Sequence, residues 1–261
     1  MKRSILSAAC LASLGAATDV LLPLYVYPST GAWDAVYNAA AAYPDVTFRL
    51  IVDPDSGPGA GRVMAWTEYP DSSYTAALAK FKSYSNVQTI GYVHTSYATQ
   101  NINTVEKNVS TYAGWAGYTA SNISVDGIFF DEAPYEDNST YTDYMSNVAS
   151  YARGLGLDYT IFNPGTLTTV AAYYDAADLI VNKEIYYSSY SESGTVDAIP
   201  SEYRAQSAII IHDTPPSANI SSLVSTMVSA GIAAFYATQD CCYNAISASL
   251  LDSISSSLEN A

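Results

Sequence analysis

Short apolar runs alternate with amphipathic stretches along almost the whole chain, and that alternation predicts its elements. The apolar runs occupy 20–27 (VLLPLYVY), 47–53 (TFRLIVD), 88–94 (QTIGYVH), 125–131 (VDGIFFD), 158–163 (DYTIFN), 178–184 (DLIVNKE), 207–212 (SAIIIH) and 232–238 (IAAFYAT). Near-continuous apolar runs of this length fit parallel strands covered on both faces. Between them apolar residues recur at helical spacing, as Tyr74, Leu78 and Phe81 do within 72–84. Helices are likewise expected over 33–42, 101–115, 139–153, a short stretch ending at 174, 219–229 and 245–258. Gly154 and Gly156 stop the 139–153 helix, and the Tyr- and Ser-rich segment 186–198 is expected to be irregular, with a turn of helix near Pro200.

Strict strand–helix alternation implies a parallel sheet, and eight such units in one chain favour closure into a single (β/α)8 TIM barrel of the α/β class. An open doubly wound sheet is the alternative. It lacks support, because no strand is followed by a dinucleotide fingerprint: Asp55-Ser56-Gly57-Pro58-Gly59 has the wrong spacing, and Pro58 removes an N–H that a phosphate would need. A G-x-S-x-G nucleophile elbow is absent too.

The first residues read as a secretory signal rather than as part of the fold. Lys2-Arg3 precede an apolar stretch from Ile5 to Leu14 and the small residues Gly15-Ala16-Ala17. Cleavage after Ala17 leaves a barrel domain over 18–261, with export to the extracellular space or cell wall and no membrane association afterwards. Losing Lys2 and Arg3 takes the net charge from −15 to −17. Such a surface repels nucleic acid and anionic membranes and attracts polycations. Sequons at Asn108, Asn122, Asn138 and Asn219 are candidate glycosylation sites on that route. Cys241 and Cys242 are then the only cysteines left: two free thiols, an intermolecular link, or a vicinal disulfide. One such pair with His94 and His212 makes a poor metal site, and neither metal nor cofactor is expected.

Barrel enzymes work at the C-terminal ends of their strands. Here those ends carry Tyr27, Asp53, His94, Asp131-Glu132, Asn163, Glu184, His212-Asp213 and Thr238, whereas the N-terminal ends are mostly apolar. Acids, amides, imidazole and phenol on one rim suit sugar chemistry, where two carboxylates share the acid/base or nucleophilic work. Strand parity places Gly127, Phe129 and Asp131 on the barrel's inner face, and Ile180, Asn182 and Glu184 together on one face of the sixth strand. The expected catalytic residues are therefore Asp131 and Glu184, with Glu132 either a loop carboxylate or a third member. Tyr27, Asp53, His94, Asn163 and Tyr236 are candidate substrate-binding groups, although His94 by itself reads as a hydrogen-bonded core histidine. Asp213 and Asp240 read as solvated loop acids.

These residues resemble a known family. The landmarks are Pro23-Leu24-Tyr25-Val26-Tyr27-Pro28 with Trp33, Ser56-Gly57-Pro58-Gly59, Ile90-Gly91-Tyr92-Val93 with Thr95 and Tyr97, the 127–132 stretch, Asn163-Pro164-Gly165-Thr166, and Glu184. In that order they resemble the spherulin-4-like glycoside hydrolases, which include fungal endo-α-1,4-N-acetylgalactosaminidases. The resemblance implies a secreted or membrane-anchored barrel that cuts galactosaminogalactan. It also implies acidic site residues at an Asp-Glu pair after the fourth strand and a Glu after the sixth, the places of Asp131, Glu132 and Glu184. Asp53 departs from the Asn expected before Pro54, and the Cys241-Cys242 pair is unusual. The expectation is thus an endo-acting, cofactor-free monomer acting on a partly cationic polysaccharide, with Asp131 as nucleophile and Glu184 as general acid/base. Glu132 as the acid, a substrate-assisted route, hydrolysis of another α-linked glycan and a non-catalytic polysaccharide-binding barrel stay open.

Overall fold

The computed structural model describes residues 17–59 and 69–261, where the strands close into one parallel barrel in sequence order. The expected leader, 1–17, lies outside the described residues apart from Ala17. The strands are β1 (Asp19–Leu24), β2 (Phe48–Val52), β3 (Val87–His94), β4 (Gly127–Asp131), β5 (Tyr159–Asn163), β6 (Leu179–Tyr186), β7 (Ser207–His212) and β8 (Ala234–Ala237). The helices between them are α1 (Asp34–Ala42), α2 (Ser72–Phe81), α3 (Ile102–Gly114), α4 (Ser139–Gly154), α5 (Ala171–Ala176), the single turn α6 (Glu192–Thr195), α7 (Ile220–Ala230) and α8 (Ala248–Glu259). After β6 the helical layer thins to α6 and two 3₁₀ segments, Tyr187–Ser189 and Ser201–Gln206, as the Tyr- and Ser-rich composition there suggested. Among the described residues no helix is long and apolar enough to cross a membrane.

Parallel register fixes which side chains fill the barrel. Arg49, Gln88 and Tyr159 point inward at the bottom, where the Arg49 guanidinium pairs with Asp19 at 2.6 Å, bonds Gln88 and lies 4.0 Å over the Tyr159 ring. Burial raises the Asp19 pKa, and Arg49 opposes that shift. Above this plug, Leu21, Ile51, Ile90, Phe129, Ile161 and Ile210 are fully buried. Each contributes about 1.5–3 kcal/mol by leaving water. Gly127 sits beside Tyr159, and an added Cβ would lie 1.9 Å from the Tyr159 carbonyl oxygen. Glycine is therefore what lets β4 run close beside β5 while Tyr159 caps the barrel floor.

The outer strand faces pack under the helices: Phe130 edges Phe162, which edges Tyr173 of α5, and Trp33 stacks on Phe81 of α2. Two aspartates just before strands hold strand ends near the bottom. Asp126 accepts from Thr89 N and Lys82, and Asp178 accepts from Thr160 N and Arg153.

Strand parity fails on β6. Its register against β7 runs Ile180↔Ser207, Val181↔Ala208, then Lys183↔Ile209 and Glu184↔Ile210, so Asn182 is an extra residue in a bulge. Asn182 turns outward, where its amide donates to Tyr174 Oη and Ser207 Oγ. Ile180, Asn182 and Glu184 therefore do not share an inward face. The bulge flips the alternation, so that Val181 and Glu184 face the barrel interior, and without it Glu184 would point at the helices.

Candidate active site

Asp131 ends β4 on the inner face and is held from two sides. Its Oδ2 accepts from the Tyr92 hydroxyl at 2.6 Å, and its Oδ1 accepts from Asn163 Nδ2 at 2.8 Å. The same Asn163 nitrogen donates to Glu184 Oε2 at 2.9 Å. Asn163 Oδ1 accepts from Gly165 N at 2.9 Å, which fixes the amide's orientation. One side-chain amide thus bridges two carboxylates. The two oxygens it bridges are no further apart than the sum of the two bond lengths, and an angle of about 120° between the two N–H bonds sets them about 5 Å apart.

Glu184 is held at its other oxygen as well. Oε1 accepts from Tyr243 Oη at 2.7 Å and lies 3.1 Å from His212 Nε2. His212 is buried, and its Nδ1 has no hydrogen-bond partner. With a proton on Nε2 the ring donates to Glu184 Oε1.

The two carboxylates differ electrostatically. Burial works to raise the Glu184 pKa, but hydrogen bonds from His212, Tyr243 and Asn163 outweigh it, and the net shift is downward. Burial dominates at Asp131 and raises its pKa despite the Tyr92 and Asn163 bonds, with the Glu184 charge adding to the rise. One group is therefore held ionised and the other is pushed toward its protonated form, the division that acid/base chemistry uses.

A cleft of about 360 Å³ opens over this pair, lined by Tyr25, Tyr97 and Tyr243, by Asp131, Glu132 and Glu184, and by the turn from Asn163 to Thr166. Among the described residues, no Lys or Arg lines it. Tyr25 sets its edge against both Tyr92 and Tyr243. Backbone strain gathers at this end of the barrel. Ser56, Ser96, Tyr97, Ala98, Glu132, Asp213 and Tyr243 all have positive φ, and all lie in loops that follow strands. Such strain persists where the surroundings enforce it, typically at functional sites. At Glu132 the clamp is visible: its carbonyl accepts from Tyr97 N and Thr95 Oγ1.

The profile of the Spherulation-specific family 4 (Spherulin4) matches residues 19–256. The chain belongs to this family. Spherulin-4 of Physarum polycephalum is 32% identical to this Spherulin4 chain over 220 residues, 80% of the chain and 59% of that protein. The chain therefore spans under two thirds of that relative's length. Aspergillus clavatus Sph3, solved in complex with GalNAc, superposes with a TM-score of 0.84 at 32% identity, covering 94% of this chain and 98% of its own. An endo-β-N-acetylglucosaminidase from Cordyceps militaris shares the fold alone, with a TM-score of 0.55 at 8% identity over 92% of this chain and 90% of its own.

Of the residues expected at the site of this Spherulin4 barrel, Asp131, Glu132, Asn163 and Glu184 line the cleft. The other four do not. Tyr27 stands exposed on the rim with its hydroxyl on Asp71 at 3.0 Å. Asp53 accepts from Gly57 N at 2.7 Å, and burial pushes its pKa up to about 6, with the Asp131 charge also contributing. His94 is tied to Ser96 and Gln100, and Tyr236 is buried on β8. Cys241 and Cys242 form a vicinal disulfide in the loop that delivers Tyr243. Of the sequon asparagines, Asn122, Asn138 and Asn219 are exposed and Asn108 is half-buried. Asn138 and Asn219 also cap α4 and α7 through Oδ1.

Sequence reasoning put His212 on the rim without giving it a role, and it passed over Tyr25, Tyr92 and Tyr243 as site residues. Tyr92 and His212 were detectable: one lies two residues before a strand end on the inner face, and the other is a strand end. Tyr243 gave no signal, because it lies beyond β8 and reaches Glu184 only through the course of its loop.

Proposed function

We propose that this protein is a secreted glycoside hydrolase that cleaves α-1,4-linked galactosamine and N-acetylgalactosamine polysaccharide endo-wise. The observation that carries the reading is the Asn163 amide shared between Asp131 and Glu184 on the floor of an open cleft. Two carboxylates about 5 Å apart, one held ionised and one pushed toward protonation, suit a retaining glycosidase, in which the pair is about 5–5.5 Å apart. The likeness to Sph3, whose structure holds GalNAc, supports the sugar class. The carboxylate-lined mouth and the net charge of −15 favour a partly cationic chain.

The directions of the two pKa shifts support roles opposite to the sequence expectation, which made Asp131 the nucleophile. Glu184, ionised and oriented by His212 and Tyr243, attacks the anomeric carbon. Asp131 gives its proton to the glycosidic oxygen as the carbon–oxygen bond breaks. Asp131, now ionised, then takes a proton from water as that water attacks the anomeric carbon, and the ester bond to Glu184 breaks. Glu132, on the cleft wall beside Asp131, holds a substrate hydroxyl or amine.

Purified protein incubated with galactosaminogalactan, chitin, α-glucan and galactan, with products read by mass spectrometry, tests this directly. Cleavage of the first alone is expected. Glu184→Gln and Asp131→Asn should each lower turnover at least ~10³-fold while the glycan still binds. Binding by the wild-type protein without cleavage of any polymer would instead mark a non-catalytic polysaccharide-binding barrel.

A further inference from the structure

Large apolar side chains with substantial exposure are unevenly placed. Tyr27, Tyr97, Tyr135 and Tyr186 are each between 43% and 54% exposed, and all stand on the C-terminal face of the barrel. Leu155, the other exposed large side chain among the described residues, sits in the α4–β5 turn at the opposite end. Scattered surface tyrosines would not sort themselves to one end.

Tyr97 and Tyr186 bracket the carboxylate pair. Around the rim the order runs Tyr97 after β3, Asp131 on β4, Asn163 on β5, Glu184 on β6, then Tyr186 with its ring 5.8 Å from that of His212 on β7. Tyr97 lines the cleft, and three successive left-handed residues hold it there: Ser96 (φ 48°), Tyr97 (φ 56°) and Ala98 (φ 62°). Its own N–H bonds the Glu132 carbonyl at 2.6 Å. A run of three non-glycine residues in this region is costly, and here it serves to present a half-exposed ring beside the acids. Tyr186 lies two residues beyond Glu184 on the same inward face and pairs in register with His212.

We propose that Tyr97 and Tyr186 are sugar-stacking platforms on the two sides of the cleavage point, each holding a sugar unit of one amino-sugar chain that crosses the mouth. This rests on the hydrolase reading and extends it from a single carboxylate pair to a cleft built for a polymer. A tyrosine face offers a flat, stiff apolar surface to the C–H face of a pyranose, with the hydroxyl left for a polar contact. The platforms explain why, among the described residues, the exposed large aromatic faces all stand at this end of the barrel.

The test compares Tyr97→Ala, Tyr186→Ala and the double variant with Leu155→Ala as an exposed control. Substrates are galactosamine/N-acetylgalactosamine oligomers of increasing length. Each tyrosine variant should lose about tenfold in kcat/KM on long oligomers and much less on the shortest cleaved, with a changed distribution of product lengths. Tyr97→Trp and Tyr186→Phe should restore most of the loss, and Leu155→Ala should behave as wild type. Equal losses at all lengths, or no loss, would overturn the platforms. Affinity is measured in parallel in the Glu184→Gln background. An inactive wild type would thus sink the hydrolase reading while chain-length-dependent binding still judges the tyrosines, and wild-type protein that binds no such oligomer overturns them.

Discussion

Replacing Tyr243 by Phe removes a single hydroxyl, the donor that sits 2.7 Å from Glu184 Oε1. The phenyl ring keeps its edge contact with Tyr25 at 5.3 Å, so the packing of the loop survives. Glu184 has its pKa held below the ordinary 4.5 because donors outweigh burial, and Tyr243 is one of three named side chains that do so. A hydrogen bond to a charged group contributes about 1.5–3 kcal/mol. Its loss should raise the Glu184 pKa, though not undo the whole depression, because His212 and Asn163 still donate. With Glu184 as the ionised partner, the acid limb of the kcat/KM–pH profile moves to higher pH. The alkaline limb, set by Asp131, stays in place. The same linkage appears in stability. A depressed carboxylate stabilises the fold above its unfolded pKa, near 4.5, and that contribution fades as pH falls through the folded value. Wild type should therefore exceed Tyr243→Phe in unfolding free energy at neutral pH, and the gap should close in acid. The profile is measured on galactosaminogalactan oligomers, and stability by urea melts from pH 3 to 7. An acid limb that does not move while Tm is unchanged would refute the assignment of Glu184 as the ionised group and of Tyr243 as its donor.

Other outcomes follow from the same geometry. Asn163→Ala removes the donor common to both carboxylates and should cut kcat by about 10–100-fold with little change in Tm, while Asn163→Asp, which adds a negative charge between them, should be worse; equal activity in the two variants would show that the bridge is irrelevant. Gly127→Ala forces a Cβ to within 1.9 Å of the Tyr159 oxygen and should lower Tm by roughly 10 °C or prevent folding, an expectation undone by a Tm within 2 °C of wild type. The double substitution Cys241→Ser/Cys242→Ser frees the loop that carries Tyr243, so it should lower activity several-fold and shift the acid limb as Tyr243→Phe does, with Tm nearly constant because the bond joins neighbours and closes no long loop. An unshifted limb in that variant would show that the loop holds Tyr243 without the bond.

The sequence by itself determined the barrel. Eight apolar runs with helical stretches between them leave a parallel sheet few ways to bury both faces, and closure removes the edges that an open sheet must cover. It also determined the rim, because charged side chains at the ends of buried strands can only stand where the strand leaves the core. Asp131 was legible for that reason: β4 alternates regularly, and Gly127, Phe129 and Asp131 fall on one face. What alternation cannot contain is a change of its own phase. The bulge at Asn182 turned Glu184 inward, and it exists because the Asn182 amide finds Tyr174 and Ser207 on the helix side, partners remote from one another in the chain. The donors that set the charge of Glu184 were equally out of reach of local pattern. His212 lies 28 residues away and Tyr243 59, and the identity of the ionised carboxylate depends on both. Periodicity records which side chains leave water, a property of each strand taken singly. Which carboxylate keeps its proton depends on donors from β5, β7 and the loop after β8 meeting at one point, and only the closed barrel brings them there.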